Sequence, residues 1–335
     1  MPEVVVLGAG WGTALAMHMA RIGHTVYLWT PFEAEIDEMC RTRQNPRLLP
    51  GVEISEDINF TTDLTVARRC DIVMVAVPSM AIGETAERLS GVLAGCSPVV
   101  ACLSKGLEDG THKRLTEVLR EALPWCRIAA VSGPSHAEEV ARGIPTSLVA
   151  ASDDMATAEY IQDNMMSDRL RIYTNHDVVG VEIGGALKNI IALAAGISDG
   201  FGLGDNTKAA LMTRGLNEIA SLGVQMGARR ETFAGLAGIG DLIVTCTSVH
   251  SRNRRFGILI GQGVPVRDAL EQIGMTVEGY HAAKTAYELS LSQGVEMPIT
   301  TQCYNILYKN QSAEAALNLL MSRPKKHEHE QTYLG

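Results

Sequence analysis

The sequence predicts an α/β protein: an open, doubly wound parallel sheet in the first half, followed by an all-α second half. Three observations predict this. Short apolar, β-branched runs alternate with helical patterns as far as Asn175. A glycine turn, Gly8-Ala9-Gly10, joins the first such run to the first helical pattern. Beyond Asn175 long helical patterns dominate and no strand series follows.

The apolar runs lie at 4–7, 25–29, 71–77, 98–103, 127–131 and 146–151, with a further candidate edge strand at 170–173. Helical patterns fill the gaps at 13–21, 33–41, 81–89 and 113–122. Strands that alternate with helices pair in parallel through right-handed crossovers, and ligands bind beyond the carboxyl ends of such strands. In the second half the patterns fall at 181–197, 207–226, 266–273, 279–293 and 313–321, with a glycine-rich loop expected at 196–206. The expected domains are therefore an α/β unit at 1–175 and a helical unit at 176–322. A polar, weakly ordered tail is expected at 323–335.

Composition narrows the function. A chain of 335 residues suits two cores rather than one. A net charge of -9 argues against a nucleic-acid partner and against docking on anionic lipid, although a site can be locally basic on an acidic protein. No unbroken apolar run reaches the ~18–20 residues of a membrane span, and no signal peptide is evident, so a soluble cytoplasmic protein is expected. The seven cysteines are scattered and never spaced as C-x-x-C, so reduced structural thiols are expected and no metal site.

Gly8 and Gly10 stand where a Rossmann-type fold holds a pyrophosphate, between a strand and the amide-rich N-terminus of a helix. The spacing is one residue shorter than G-x-G-x-x-G, because the third glycine is Gly12 and Thr13 holds its usual place. Either the helix starts early and the turn tightens, or the sequence lacks a residue that its gene encodes. The second strand ends at Trp29, followed by Thr30-Pro31-Phe32-Glu33. A carboxylate there would hold the ribose of NAD and a basic group the 2′-phosphate of NADP, so NAD and NADP both stay open.

Later strands leave the sheet at Pro78-Ser79, at Ser104-Lys105-Gly106 and at Ser132-Gly133-Pro134-Ser135-His136-Ala137. Lys105 is placed to reach a phosphate or a substrate oxygen, unless it is a solvated loop lysine. His136 tempts as a base, but a lone histidine near a turn is more often structural. The segment 181–196 is apolar on nearly every face, which marks a buried helix, yet it carries Lys188 and Asn189 at its middle. A buried amine must be paired, or its pKa falls and it can exchange protons near neutral pH; the alternative is snorkelling to solvent. Ser251-Arg252-Asn253-Arg254-Arg255 is either an anion site or a solvated basic loop.

The residues together resemble a known family. The motifs are G-A-G-W-G-T-A-L-A at 8–16, S-K-G-L-E at 104–108, S-G-P-S-H-A at 132–137 and E-I-G-G-A-L-K-N at 182–189. They continue with G-I-G-D-L-I-V-T-C-T at 238–247, S-R-N-R-R-F-G at 251–257 and V-E-G-Y at 277–280. In this order they resemble bacterial NAD(P)-dependent glycerol-3-phosphate dehydrogenase along nearly the whole chain. The resemblance implies reversible hydride transfer between sn-glycerol 3-phosphate and dihydroxyacetone phosphate, supplying glycerophospholipid synthesis. It implies Lys188 as proton donor and acceptor, and Lys105, Gly133, Ser135, Asp241, Ser251, Arg252 and Asn253 at a small phosphorylated substrate. At the cofactor it implies Gly8, Gly10, Trp11, Phe32, Lys105, Ala137, Arg252, Thr276 and Glu278. Asn189 and Thr245 become supporting polar groups, and a homodimer is expected. Two departures stand out: the family usually has one more residue between Gly10 and Trp11, and a basic residue often follows the second strand, where Pro31-Phe32 stand here. A hydroxy-acid dehydrogenase of similar build and a non-catalytic dinucleotide sensor are the competing readings.

Overall fold

A computed structural model describes residues 1–325 and 327. The tail expected at 323–335 falls mostly outside the described residues. Ten strands lie in the first half: β1 (Glu3–Leu7), β2 (Thr25–Trp29), β3 (Gln44–Asn45), β4 (Leu49–Glu53), β5 (Ile58–Thr61), β6 (Ile72–Val75), β7 (Val99–Cys102), β8 (Arg127–Ser132), β9 (Thr146–Ala151) and β10 (Leu170–Asn175). Eight of them form one sheet in the order β10-β9-β8-β7-β6-β1-β2-β5, and β3 and β4 form a separate hairpin. Helices α1 (Trp11–Arg21), α2 (Glu33–Thr42), α3 (Ile82–Val92), α4 (Leu115–Ala122), α5 (Ala137–Ala141) and α6 (Met155–Met165) connect the strands. One apolar cluster fills one side of the sheet around Val4, Val6 and Leu28, and another the opposite side around Val5, Leu7 and Val75. This strict alternation along β1 is what a strand buried on both faces produces.

The sheet is not wholly parallel. β8 and β9 pair antiparallel, while β9 and β10 run parallel to each other. The connection after β8 spends its length on the Gly133–Ala137 loop and the five-residue α5, which packs on α1, and the chain returns reversed. Apolar patterning reports burial but not strand direction. It also missed β4, whose Pro50 and Gly51 read as turn residues, and the four-residue edge strand β5.

The second half contains α7 (Val178–Gly200), α8 (Asp205–Gln225), α9 (Asp241–Thr247), α10 (Arg252–Gly261), α11 (Val266–Ile273), α12 (Glu278–Gln293), α13 (Pro298–Lys309) and α14 (Ala313–Met321). A short π-helical turn at Leu236–Gly240 leads into α9. The α13 helix was masked in the sequence by Pro298, which sits at its first turn, where proline is well tolerated. Asp177 starts α7 by accepting the Gly180 amide at 2.9 Å. By length and hydropathy α7 could cross a membrane, which corrects the expectation drawn from unbroken apolar runs; here its apolar surface is buried among the other helices.

The loop expected at 196–206 is mostly helix. Gly196 and Gly200 are not breakers but the seat of α10: a Cβ on Gly196 would stand 2.1 Å from the Arg254 carbonyl oxygen, and one on the facing Gly257 2.1 Å from that of Leu193. Backbone meets backbone there, and this close crossing fixes the register of α10 against α7. Replacing Gly196 with alanine is expected to cost about 1–3 kcal/mol through overpacking, read as a lower urea midpoint at unchanged slope.

Candidate active site

Three elements meet beyond the carboxyl end of β7. The strand releases Leu103-Ser104-Lys105-Gly106, and the Ser104 hydroxyl donates to the Val77 carbonyl at 2.5 Å, which ties this loop to the end of β6. Helix α7 brings Lys188 and Asn189. The π-turn delivers Asp241 at the start of α9, with Thr245 one turn later.

Asp241 is 1% exposed and takes one lysine on each oxygen. Lys105 Nζ donates to Oδ2 at 2.6 Å and to the Gly133 carbonyl at 2.8 Å. Lys188 Nζ donates to Oδ1 and, at 2.7 Å, to Thr245 Oγ1. The Thr245 hydroxyl spends its own proton on the Asp241 carbonyl at 2.6 Å, so toward Lys188 it acts as an acceptor. The snorkelling and solvated-loop alternatives for the two lysines therefore do not hold: both ammoniums are aimed at one buried carboxylate.

The charges decide the chemistry. Burial pushes the Lys188 pKa down; Asp241 opposes this and Lys105 adds to it, leaving the amine at about 8. Burial works against the Asp241 anion, but the two ammoniums outweigh it and hold its carboxyl below the usual range. Two ammoniums against one carboxylate leave a net positive charge, suited to an oxygen that gains negative charge.

Around this core lie the other predicted residues. Ser135 Oγ donates to the Gly133 carbonyl at 3.0 Å, and Trp11 Nε1 to the Ser135 carbonyl at 2.8 Å. Ser251 caps α10 by accepting the Arg254 amide at 3.2 Å, so the basic cluster is a helix start rather than a loop. Its three arginines separate: Arg254 pairs with Asp199 at 2.7 Å, Arg255 is exposed, and Arg252 is half-buried. Burial lowers the Arg252 pKa against the nearby Glu278 and Glu138 carboxylates. Asn253 donates to Asn189 Oδ1 at 2.9 Å and accepts the Gly279 amide at 2.8 Å, joining α10, α7 and α12.

The phosphate turn is tight. Gly8 has φ +108°, and a Cβ there would stand 2.7 Å from the Ala76 carbonyl oxygen. Helix α1 begins at Trp11, two residues before the predicted start, so an early start absorbs the short spacing. Nothing lies within 4 Å of where a Gly10 Cβ would stand, which leaves space in front of the α1 amides for a pyrophosphate. At the end of β2, Thr30 donates to Glu35 at 2.9 Å and Arg47 pairs with the same carboxylate. Arg47 comes from the turn between β3 and β4. Ala137 opens α5. Phe32 is mostly exposed and Thr276 is half-buried ahead of α12; among the described residues no hydrogen bond joins either side chain to the lysine cluster.

Several contributors were not foreseen. Ser79 gives Glu278 its amide at 3.2 Å and its hydroxyl at 2.5 Å, linking the end of β6 to α12; its place after Val77-Pro78 at a strand end was the available signal. Glu182 accepts Arg114 at 2.9 Å and the Thr116 hydroxyl at 2.6 Å, clamping α7 to the start of α4; a carboxylate in an apolar helix was the clue. His136, the candidate base of the loop after β8, has Nε2 buried without a partner among the described residues, and burial, then the Lys188 charge, lowers its pKa.

Comparison with known proteins now decides the family. The model for the N-terminus of NAD-dependent glycerol-3-phosphate dehydrogenase matches residues 3–158, and that for its C-terminus residues 177–318. The chain belongs to this family. A relative from Desulfitobacterium hafniense, named glycerol-3-phosphate dehydrogenase [NAD(P)+], is 49% identical over all of this chain and 95% of its own. One from Thermoanaerobacter sp., named likewise, is 52% identical over 97% of this chain and 98% of its own. The crystal structure of glycerol-3-phosphate dehydrogenase from Coxiella burnetii superposes with a TM-score of 0.92 at 38% identity, covering 96% of this chain and 99% of that one. A D-mandelate dehydrogenase, with a TM-score of 0.64 at 14% identity, shares the fold alone.

Replacing Lys105 with methionine removes a cation that depresses Lys188. The Lys188 titration, followed by the 13Cε resonance of labelled lysine, is expected to move upward from about 8; an unmoved or lowered midpoint would contradict the coupling.

Proposed function

We propose that this chain is an NAD(P)-dependent sn-glycerol-3-phosphate dehydrogenase that reversibly interconverts glycerol 3-phosphate and dihydroxyacetone phosphate. The single observation that carries the proposal is Lys188: a buried amine at about 8, held by Asp241 and Thr245 beside a second ammonium.

A bound nicotinamide dinucleotide supplies the hydride in reduction and accepts it in oxidation. Gly8, Gly10 and the α1 amides suit its pyrophosphate; Trp11, Phe32, Ala137, Thr276 and Glu278 are assigned to its surroundings. As negative charge gathers on the ketone oxygen, the Lys188 ammonium donates to it and passes over its proton; in oxidation the neutral amine takes the proton back. Asp241 and Thr245 hold Nζ in place during both. Lys105 positions the substrate oxygens with Gly133 and Ser135. Ser251, Arg252 and Asn253 form the substrate end of α10, with Arg252 on the phosphate, so that remote binding energy orients the reacting carbon.

The same reading divides the chain into a dinucleotide-binding unit at 1–175 and a helical catalytic unit at 176–322, with every named strand before residue 176. It places the enzyme in the cytoplasm as a homodimer without membrane insertion, supported by the burial of α7 among protein helices. Its product would feed glycerophospholipid synthesis.

Oxidation of NADH and NADPH with dihydroxyacetone phosphate, run side by side against a panel of keto acids, tests the assignment and ranks the cofactors. Turnover of a keto acid in preference to the phosphate ester would overturn it. Lys188→Ala is expected to lower kcat roughly 100- to 10,000-fold with little change in cofactor affinity. Arg252→Ala should raise the KM for dihydroxyacetone phosphate roughly 10- to 100-fold, the loss of charge-assisted hydrogen bonds; an unchanged KM would remove Arg252 from the phosphate.

A further inference from the structure

The hairpin β3–β4 stands apart from the lysine cluster, yet it reaches the glycine turn. Asn45 of β3 is 6% exposed. Its Nδ2 donates to the Ala9 carbonyl at 2.9 Å, and its Oδ1 accepts the Leu48 amide at 3.1 Å. The side-chain amide is therefore fixed in orientation: one end holds the turn of the hairpin, the other the turn after β1. The same Ala9 carbonyl accepts the Thr13 hydroxyl at 2.6 Å, from the first turn of α1. Thr13 is fully buried and stands where G-x-G-x-x-G has its third glycine. Leu49 and Val52 of β4 share an apolar cluster with Leu15 and Ala16 of α1, so the hairpin is anchored by packing as well as by Asn45.

Two donors on one carbonyl also fix the far side of its peptide. In a planar trans peptide the C=O and the following N–H point in opposite directions. The Ala9 oxygen is drawn into the protein by Thr13 and Asn45, so the Gly10 N–H faces away from the interior. Gly10 itself is open: nothing lies within 4 Å of where its Cβ would stand, and among the described residues its amide meets no acceptor. An unmet amide at the entry to a helix is a donor for an anion. Aim matters here, because an amide turned by the rotation of one peptide would point its hydrogen elsewhere.

We propose that Asn45 and Thr13 are positioning residues for the dinucleotide: they aim the Ala9–Gly10 peptide so that its N–H meets the pyrophosphate, and so compensate for the short glycine spacing. The inference rests on the dinucleotide reading above. Neither side chain touches the ligand; both act through the Ala9 carbonyl.

The test is titration of the full chain with NADH, NADPH and ADP, in the wild type and in Thr13→Val, Thr13→Ser and Asn45→Ala. Thr13→Val and Asn45→Ala should each raise the Kd of the bound dinucleotide roughly 3- to 10-fold, the value of one hydrogen bond. ADP keeps the pyrophosphate without the nicotinamide and should lose affinity by the same factor. Thr13→Ser keeps the hydroxyl and should bind as the wild type does. The KM for dihydroxyacetone phosphate at saturating dinucleotide should stay within about twofold in all three, which a general loosening of the fold would not allow. A wild-type chain that binds none of the three nucleotides overturns the dinucleotide reading and this inference with it. A wild type that binds them, with Thr13→Val and Asn45→Ala binding equally well, overturns this inference alone. So does a loss for NADH and NADPH without one for ADP, or a Thr13→Ser variant as weak as Thr13→Val.

Discussion

Asp241 is the group on which the rest of the site depends. An ionised carboxylate this deeply buried would be costly without partners. Its partners come from both halves of the chain: Lys105 from the carboxyl edge of the sheet and Lys188 from the middle of the core helix. Lys188 in turn needs Asp241, because burial disfavours its ammonium. The trio is stable as a unit and frustrated as separate residues. Its leftover positive charge and the lowered Lys188 pKa are consequences of pairing two cations with one anion.

This arrangement sets demands on the backbone. Lys188 can be buried only because α7 is surrounded by other helices, and α10 comes close enough because glycines on both helices remove the side chains between them. The same crossing places Asn253 against Asn189 and carries Ser251 and Arg252 to the end of the site. The π-turn at Leu236–Gly240 brings Asp241 into α9 beside the lysines. The Ser79–Glu278 and Glu182–Arg114 contacts tie the helices to the sheet edge at two further points.

Much of this was legible in the sequence for a definable reason. Fully buried strands and an all-round apolar helix leave strong patterns, and a lysine within such a helix is conspicuous. The ordered motifs then named the family. Pairings between distant residues were not legible. Nothing local shows that Lys188 and Lys105 share Asp241, that Ser79 meets Glu278, or that Arg254 turns to Asp199 while Arg252 does not. Strand direction at β9 was hidden because burial is the same either way. Gly196 and Gly200 of α7 read as loop punctuation because their partner helix lies about 60 residues away in the chain. Arg47 pairs with Glu35 from a turn that no local pattern connects to it.

The chemistry depends on Lys188 as a proton donor tuned by Asp241. The direct measurement is the pH dependence of kcat/KM for dihydroxyacetone phosphate reduction in the wild type and in Asp241→Asn. The ammonium is the reactive form, so the rate should fall as pH rises through about 8 in the wild type. Removing the carboxylate that raises the Lys188 pKa should move that fall to lower pH in the variant. A profile that is flat from pH 6 to 9, or a fall that stays in place in Asp241→Asn, would contradict it.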